Sequence, residues 1–335
     1  MLVKDLGEFG VIDLLNRMVI QGRGGPDNGA TFGFKLLVDT GDDTAAWQTG
    51  AATELFTTDT VVEGIHFTRA TTPWRDLGWK SIASNVSDIA AMGGLPTYAL
   101  ITLGLPGETE VEDIKELYRG MLEIGNRYGV AIIGGDMVAS PVVFITVSLT
   151  GVHPGQPMLR STARPGDRVG VTGYLGASGG GLKLMLENLP VSESAAEYLR
   201  RGHRHPEPAV AAGQLLAQSG VRTAMDVSDG LADDLSKLTR SSGWAARIYA
   251  ERVPVHPLLR EAFPQDYLNL ALHGGEDYLL LFTADASTMN AVLPRLPQGA
   301  ADIGEVVAGP PGQVTVVDGN GAATVLPRAG WDHFR

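Results

Sequence analysis

Six short motifs place acidic side chains beside glycine, serine or threonine: Gly41-Asp42-Asp43, Thr57-Thr58-Asp59-Thr60, Ser87-Asp88, Gly134-Gly135-Asp136, Asp226-Val227-Ser228-Asp229-Gly230 and Gly274-Gly275-Glu276-Asp277. Carboxylates and hydroxyls of this kind suit Mg²⁺, which prefers oxygen ligands shared with waters and phosphate oxygens. Small neighbours let a short side chain aim into a cleft without bulk in the way. Each motif alone is ambiguous. Asp42-Asp43 also reads as a solvated turn. Ser228 or Asp229 also reads as the cap of a helix whose stripe is Leu231, Leu235 and Leu238. Gly134-Gly135-Asp136 follows the apolar run Val130–Ile133 and also reads as a turn.

Asp88 is the more telling case. In WKSIASNVSDIAAMGG, Trp79, Ile82, Val86 and Ile89 share one helical face, and Ser81, Ser84, Asn85 and Asp88 share another. A solvated face usually carries Lys and Glu, so small residues around a single Asp point to close packing there; an ordinary exposed polar face is the alternative. No Walker A motif is present. The stretch from Gly176 to Lys183 is glycine-rich but lacks the Lys-Ser/Thr pair, and the protein-kinase signature set is absent.

The elements that must carry these residues alternate between strand and helix patterns, which indicates an α/β or α+β protein. Residues 142–150 alternate in polarity, as a half-buried strand does. Ile114, Leu117, Met121, Ile124 and Tyr128 recur at helical spacing over 112–128. A strand is expected over Arg168–Gly173. QVTVV and AATVL flank Asp318-Gly-Asn-Gly, a hairpin signal. Turn formers in Gly151–Pro157 suggest a boundary within 151–165, and the polar glycine-rich tract Gln21–Gly33 reads as a loop or an insertion.

Composition narrows the function. The chain has 335 residues, 44% of them hydrophobic, enough for a large core and two domains. It has no cysteine, which removes disulfides, thiolate metal sites and a cysteine nucleophile. A formal net charge of −12 argues against a nucleic-acid partner and requires imported positive charge if phosphates are bound. No stretch approaches the roughly 20 apolar residues of a membrane span. The acids in MLVKDLGEFGVIDLL do not fit a leader peptide. The expectation is a cytoplasmic protein without membrane or nucleic-acid partners.

The blocks GDDTAAW, TTDTVVEGIHF, GWKSIASNVSDIAAMGGLP, IIGGD, LRSTARPGDRVGVTGYLG, RHPEP, DVSDGLADDL and GGEDYLLLF follow one another between Gly41 and Phe282, flanked by Leu6-Gly-Glu-Phe-Gly-Val-Ile before them and Trp331-Asp-His-Phe after. In this order they resemble the thiamine-monophosphate kinase family. That family shares a superfamily with aminoimidazole ribonucleotide synthetase, selenophosphate synthetase and a hydrogenase-maturation protein. The resemblance implies an α/β (α+β) fold. Residues 1–152 would form an ATP- and Mg²⁺-binding dimerisation domain whose sheet closes an intersubunit barrel in a homodimer. Residues 153–335 would form an α/β domain completing the cleft.

The resemblance also implies roles. Asp43, Thr57, Thr58, Asp59, Asp88, Asp136, Asp226 and Asp229 match metal ligands for several Mg²⁺ ions. Tyr118, Gly135, Asp136, Arg160 and Ser228 match ATP contacts, and His66, Glu276 and Trp331 match contacts to thiamine monophosphate. His66 and Trp331 also admit structural readings. The chain departs from the family pattern at Val38-Asp39-Thr40, Met137-Val138-Ala139-Ser140 and Gly176-Ala177.

The chemistry agrees with that assignment. A phosphate monoester has a second pKa of about 6, so the acceptor is largely a dianion at neutral pH and needs no general base. The difficulty is repulsion: like unit charges about 4 Å apart cost roughly 4 kcal/mol at an effective dielectric of 20. Bound cations offset it, which explains the many carboxylates. The competing readings are an amidine-forming synthetase, disfavoured by GGEDYLLLF and the terminal WDHF, and the selenophosphate and hydrogenase branches, disfavoured by the lack of cysteine. A nucleotide-binding regulator without catalysis is a further alternative, which retention of the matched aspartates opposes.

Overall fold

The computed structural model describes residues 35–38, 42–50 and 52–327. The Gln21–Gly33 tract and Trp331 lie outside the described residues.

The N-terminal half forms a six-stranded sheet, in the order β1-β2-β3-β6-β4-β5. Its strands are β1 (Lys35–Val38), β2 (Ala45–Thr49), β3 (Ala52–Val62), β4 (Leu95–Leu105), β5 (Ala131–Ala139) and β6 (Phe144–His153). All pairs are antiparallel except β4–β5, which is parallel. Two helices belong to this half: α1 (Trp74–Ala91) and α2 (Val111–Tyr128), the latter being the crossover between β4 and β5. The β3 and β6 alternation fixes one buried face, with Leu55, Ile145, Val147 and Leu149 fully inside. The helical spacing read in 112–128 buries Leu117, Met121 and Ile124 against α1. The two helices approach backbone to backbone. A Cβ on Gly78 would meet Leu117 O at 1.9 Å, and one on Gly120 would meet Arg75 O at 1.9 Å. That contact sets where α1 lies.

The C-terminal half holds a seven-stranded sheet, in the order β13-β12-β9-β11-β7-β10-β8. Its strands are β7 (Arg168–Val171), β8 (Thr223–Asp226), β9 (Ala245–Tyr249), β10 (Leu280–Ala284), β11 (Ala301–Val307), β12 (Val314–Val317) and β13 (Ala323–Val325). Around it lie α3 (Ala177–Glu187), α4 (Glu193–Arg204), α5 (Val210–Gln218), α6 (Leu231–Ser242), α7 (Pro257–Ala262), α8 (Tyr267–His273) and α9 (Ala286–Val292). The β12–β13 pair is the hairpin signalled by Asp318–Gly321. Each sheet has one parallel pair, β4–β5 and β9–β12, so the architecture is mixed α/β with two sheets.

The glycine-rich stretch after Gly176 is a packing device. A Cβ on Gly181 would strike Leu199 O at 2.1 Å, and one on Gly179 would meet Gly274 Cα at 2.7 Å. The glycines bring α3 against α4 and the chain after α8.

α1 is buried nearly all round, on its polar face as well as its apolar one: Ser81, Ser84, Asn85 and Ser87 are all inside. It touches α2, β3, β6, α5 and β8, and so spans both halves. The exposed-face alternative for Asp88 is thereby excluded.

Candidate active site

Three carboxylates from distant parts of the chain converge. Asp43 precedes β2, Asp88 rides on α1 and Asp226 ends β8; their oxygens lie within 4.8 Å of one another. The edge of β3 closes the group. Thr57 donates its hydroxyl to Asp88 Oδ2 at 2.5 Å. Asp59, two residues on and therefore on the same face, feels the charges of Asp229 and Asp43. A second acidic group, Asp229, Asp233 and Asp234, lies at the start of α6, again with oxygens within 4.8 Å.

The electrostatics show what the first group needs. Burial, reinforced by Asp59, Asp226 and Asp43, pushes Asp88 well above the usual carboxylate range, and the Thr57 hydroxyl opposes this. Burial followed by Asp43 and Asp234 raises Asp226, against Arg160 and Ser87. Burial also raises Asp59, against a hydrogen bond from Ser84. Desolvated carboxylates this close resist carrying their charges together. Arg160 is the local cation, and it is committed to Asp43. Its Nε donates to Oδ2 at 3.1 Å and its Nη2 to Oδ1. Its backbone N–H donates to Asp42 Oδ2 at 3.0 Å. The segment is fixed further by Ser242, whose hydroxyl donates to Arg160 O at 2.8 Å. An all-oxygen set with uncompensated negative charge fits a divalent cation such as Mg²⁺.

The second group carries its own counter-ion. Lys237 contacts Asp229, Asp233 at 3.3 Å and Asp234 at 3.0 Å. Asp234 accepts the backbone N–H groups of Ser228 and Asp229, both at 3.0 Å. Capping therefore runs opposite to the sequence expectation. Gly230 is the N-cap with no side-chain bond, and Asp234 inside the first turn reaches back to hold the loop. This frees the Ser228 and Asp229 side chains from helix capping.

The remaining expected residues fall into four sets. Thr58 alternates to the opposite face of β3, where its hydroxyl donates to Val147 O at 3.0 Å. Gly135 and Asp136 lie within β5, a strand rather than a turn, with Asp136 exposed opposite Thr102 and outside the three-carboxylate group. Tyr118 is half-buried on α2 and packs against the N-terminal core. The fourth set is His66 and Glu276: His66 Nδ1 accepts the Val62 N–H at 3.0 Å, and Glu276 feels His66 electrostatically, less than it feels Lys80 and His203.

Residues 274–278 link these groups. Gly275, Glu276 and Tyr278 have φ of 63°, 56° and 51°, left-handed values that are costly for the two non-glycines. Glu276 N–H donates to Ser228 O at 2.7 Å, and Tyr278 N–H to Val227 O at 2.9 Å. The Asp277 carboxylate accepts from Gly176 N at 2.6 Å and Ser178 N at 3.1 Å, and burial raises its pKa to about 6. The loop is thus tied to the Asp226–Gly230 turn and to the start of α3. Asp277, Asp234, Lys80 and His203 were not singled out as site residues from the sequence. Asp277 was visible only as part of GGED.

Comparison with known proteins identifies the family. The model for AIR synthase related protein, N-terminal domain, matches residues 41–153, and that for the C-terminal domain matches residues 164–317. The thiamine-monophosphate kinase of Aquifex aeolicus (strain VF5) is 35% identical over 337 residues, covering 100% of both proteins. The chain belongs to the thiamine-monophosphate kinase family. The family member from Bacillus subtilis (strain 168) is 34% identical, with 89% of this chain and 94% of that protein covered. The solved structure of AaThiL complexed with AMPPCP and TMP superposes with a TM-score of 0.85 at 34% identity, covering 99% of each chain.

Proposed function

We propose that this enzyme transfers the γ-phosphoryl group of ATP directly onto the phosphate of thiamine monophosphate, giving thiamine diphosphate and ADP. The observation that carries the reading is the convergence of Asp43, Asp88 and Asp226, with Asp59 in the field of Asp43 and Asp229. Family membership and a relative solved with an ATP analogue and TMP support the two substrates. Asp43, Asp59, Asp88, Asp226 and Asp229, with Thr57, would hold several Mg²⁺ ions; Thr58, whose hydroxyl faces the other way, would contribute only its main-chain oxygen, and Asp136 would join them from β5. Such ions, when bound, supply the positive charge that lets a phosphate dianion approach a triphosphate.

The chain's own groups do the rest. Arg160, Ser228, Gly135 and Tyr118 would orient ATP, with Arg160 shifting from Asp43 toward phosphate as cations take over that carboxylate. His66 and Glu276 would hold the acceptor, Glu276 through its charge against the cationic thiazolium ring; Trp331 would complete that contact. No residue is required as a general base, because the acceptor oxygen is already ionised. In this reading residues 1–152 bind ATP and dimerise, and residues 153–335 complete the cleft. Exposed Tyr98 and Leu100 on β4, and Ile133, Met137 and Val138 on the edge strand β5, give this end of the sheet apolar surface suited to pairing with a second copy. That no described helix is long and apolar enough to cross a membrane agrees with a cytoplasmic biosynthetic role.

The test is turnover with ATP and Mg²⁺ using thiamine monophosphate and, separately, free thiamine. Diphosphate formed from the monophosphate is the expected product. ATP consumption without it, or with a different acceptor, refutes the assignment.

A further inference from the structure

Under residues 274–278, three ionisable side chains meet from three elements. Lys80 comes from α1, His203 from α4 and Glu276 from the loop. Lysine is rarely buried without a partner, yet the Lys80 side chain is only 4% exposed. Its Nζ donates to Glu276 Oε1 at 2.8 Å and lies 3.4 Å from His203 Nε2.

An ammonium group can only donate, so His203 Nε2 accepts. That fixes the tautomer: the ring proton sits on Nδ1, which donates to Ser178 Oγ at 3.0 Å. Burial, aided by Lys80, lowers the His203 pKa to about 4, which agrees with a neutral ring. At 3.7 Å from Nδ1, Glu276 Oε2 is outside hydrogen-bond range. One oxygen of Glu276 is therefore committed to Lys80. The other is not held by His203, on a side chain that is 31% exposed and senses His66.

A buried ion pair is weak evidence of stabilisation, since an apolar pair of similar volume usually serves the core as well. Here the pair also sits on backbone that left-handed φ values make costly. Both features are explained if the orientation and charge of Glu276 matter to the reaction.

We propose that Lys80 is a positioning residue for the acceptor. By taking Oε1 it keeps Glu276 ionised and leaves Oε2, on a part-exposed side chain, available to the cationic ring of the substrate. His203, locked by Ser178, fixes the direction of Lys80 in turn. This rests on the reading of Glu276 as an acceptor contact.

The test is a double-mutant cycle of Lys80→Met and Glu276→Gln, with KM measured for thiamine monophosphate and for ATP. Lys80→Met should raise the acceptor KM about tenfold or more while leaving the ATP KM within about twofold. The double variant should be no worse than Glu276→Gln alone, because Lys80 acts only through that carboxylate. It should also melt close to the wild type, which keeps the cycle readable if Lys80→Met alone folds poorly. Lys80→Gln, which retains a donor, should recover part of the loss.

An unchanged acceptor KM in Lys80→Met overturns the proposal. So do multiplicative losses in the double variant, or an equal rise in the ATP KM. If Glu276→Gln itself leaves the acceptor KM unchanged, the reading of Glu276 fails first and the role of Lys80 falls with it.

Discussion

Replacing Asp88 by asparagine preserves shape and an acceptor for the Thr57 hydroxyl while deleting one negative charge. In the folded protein that charge lies within 4.8 Å of Asp43 and Asp226. Two unit charges at that separation repel by about 3.5 kcal/mol at an effective dielectric of 20. Arg160 already neutralises much of Asp43, and partial protonation relieves Asp88 and Asp226, so the net relief is about 1–3 kcal/mol. For 335 residues the unfolding entropy is about 0.7 kcal/mol per kelvin, so Tm in EDTA should rise by about 1–4 °C. The response to metal should move the other way. Wild-type Tm should climb with added Mg²⁺ by mass action, the variant should lose most of that rise, and kcat should fall by about two orders of magnitude or more. Differential scanning fluorimetry with and without Mg²⁺, beside a turnover assay, reads all three. A variant that is destabilised in EDTA yet keeps the full Mg²⁺ response would show that Asp88 is a structural hydrogen-bonding group, and the metal-site reasoning would be wrong.

Three further outcomes follow from particular contacts. His203 titrates at about 4 in the fold against 6.5 for the free side chain, so the native state binds fewer protons in that window. Its contribution is complete above about 6.5 and is lost as pH falls toward 4, by about 3 kcal/mol in all. Asp42, Asp234 and Asp277, each raised from 3.8 to about 6 chiefly by burial, act in the opposite sense over nearly the same window. The clean measurement is therefore the difference in Tm between wild type and His203→Gln, which should narrow as pH drops from 7 to 5. Gly181→Ala should cost about 1–3 kcal/mol despite better helix propensity, because the added Cβ meets Leu199 O at 2.1 Å; an unchanged Tm would show that α3 and α4 separate easily. Ile133→Lys, at a side chain 62% exposed on β5, should weaken self-association about tenfold or more by light scattering, and an unaltered dimer would place the interface elsewhere.

Much of the scaffold was legible because its causes are local. The spacing of Leu117, Met121 and Ile124 specifies α2, the alternation through Ile145, Val147 and Leu149 specifies β6, and Asp318–Gly321 specifies the last hairpin. The aspartates were visible by type, and the small residues around Asp88 signalled the close packing that α1 shows.

What the sequence hid is long-range. Lys80 reads as an ordinary surface lysine of an amphipathic helix, and only the packing of α1 between both halves buries it. Ser228 and Asp229 read as candidate caps of the helix, whereas the bond runs from their backbone N–H groups to Asp234, a direction that depends on the turn geometry. Gly134-Gly135-Asp136 admits a turn on sequence, and only the pairing of β4 with β5 places Asp136 within a strand. The glycines after Gly176 do not complete a phosphate-binding motif, and nothing else in the sequence explains them; their spacing reflects the approach of α4 and Gly274.

The central claim is transfer of the ATP γ-phosphoryl group to the phosphate of thiamine monophosphate, dependent on divalent cations held by the aspartate groups. ³¹P NMR of the enzyme with both substrates and Mg²⁺ follows it directly. The ATP γ resonance should disappear in step with growth of the thiamine diphosphate β resonance, and EDTA should stop both. Release of inorganic phosphate without diphosphate, or conversion undiminished in EDTA, would contradict the account.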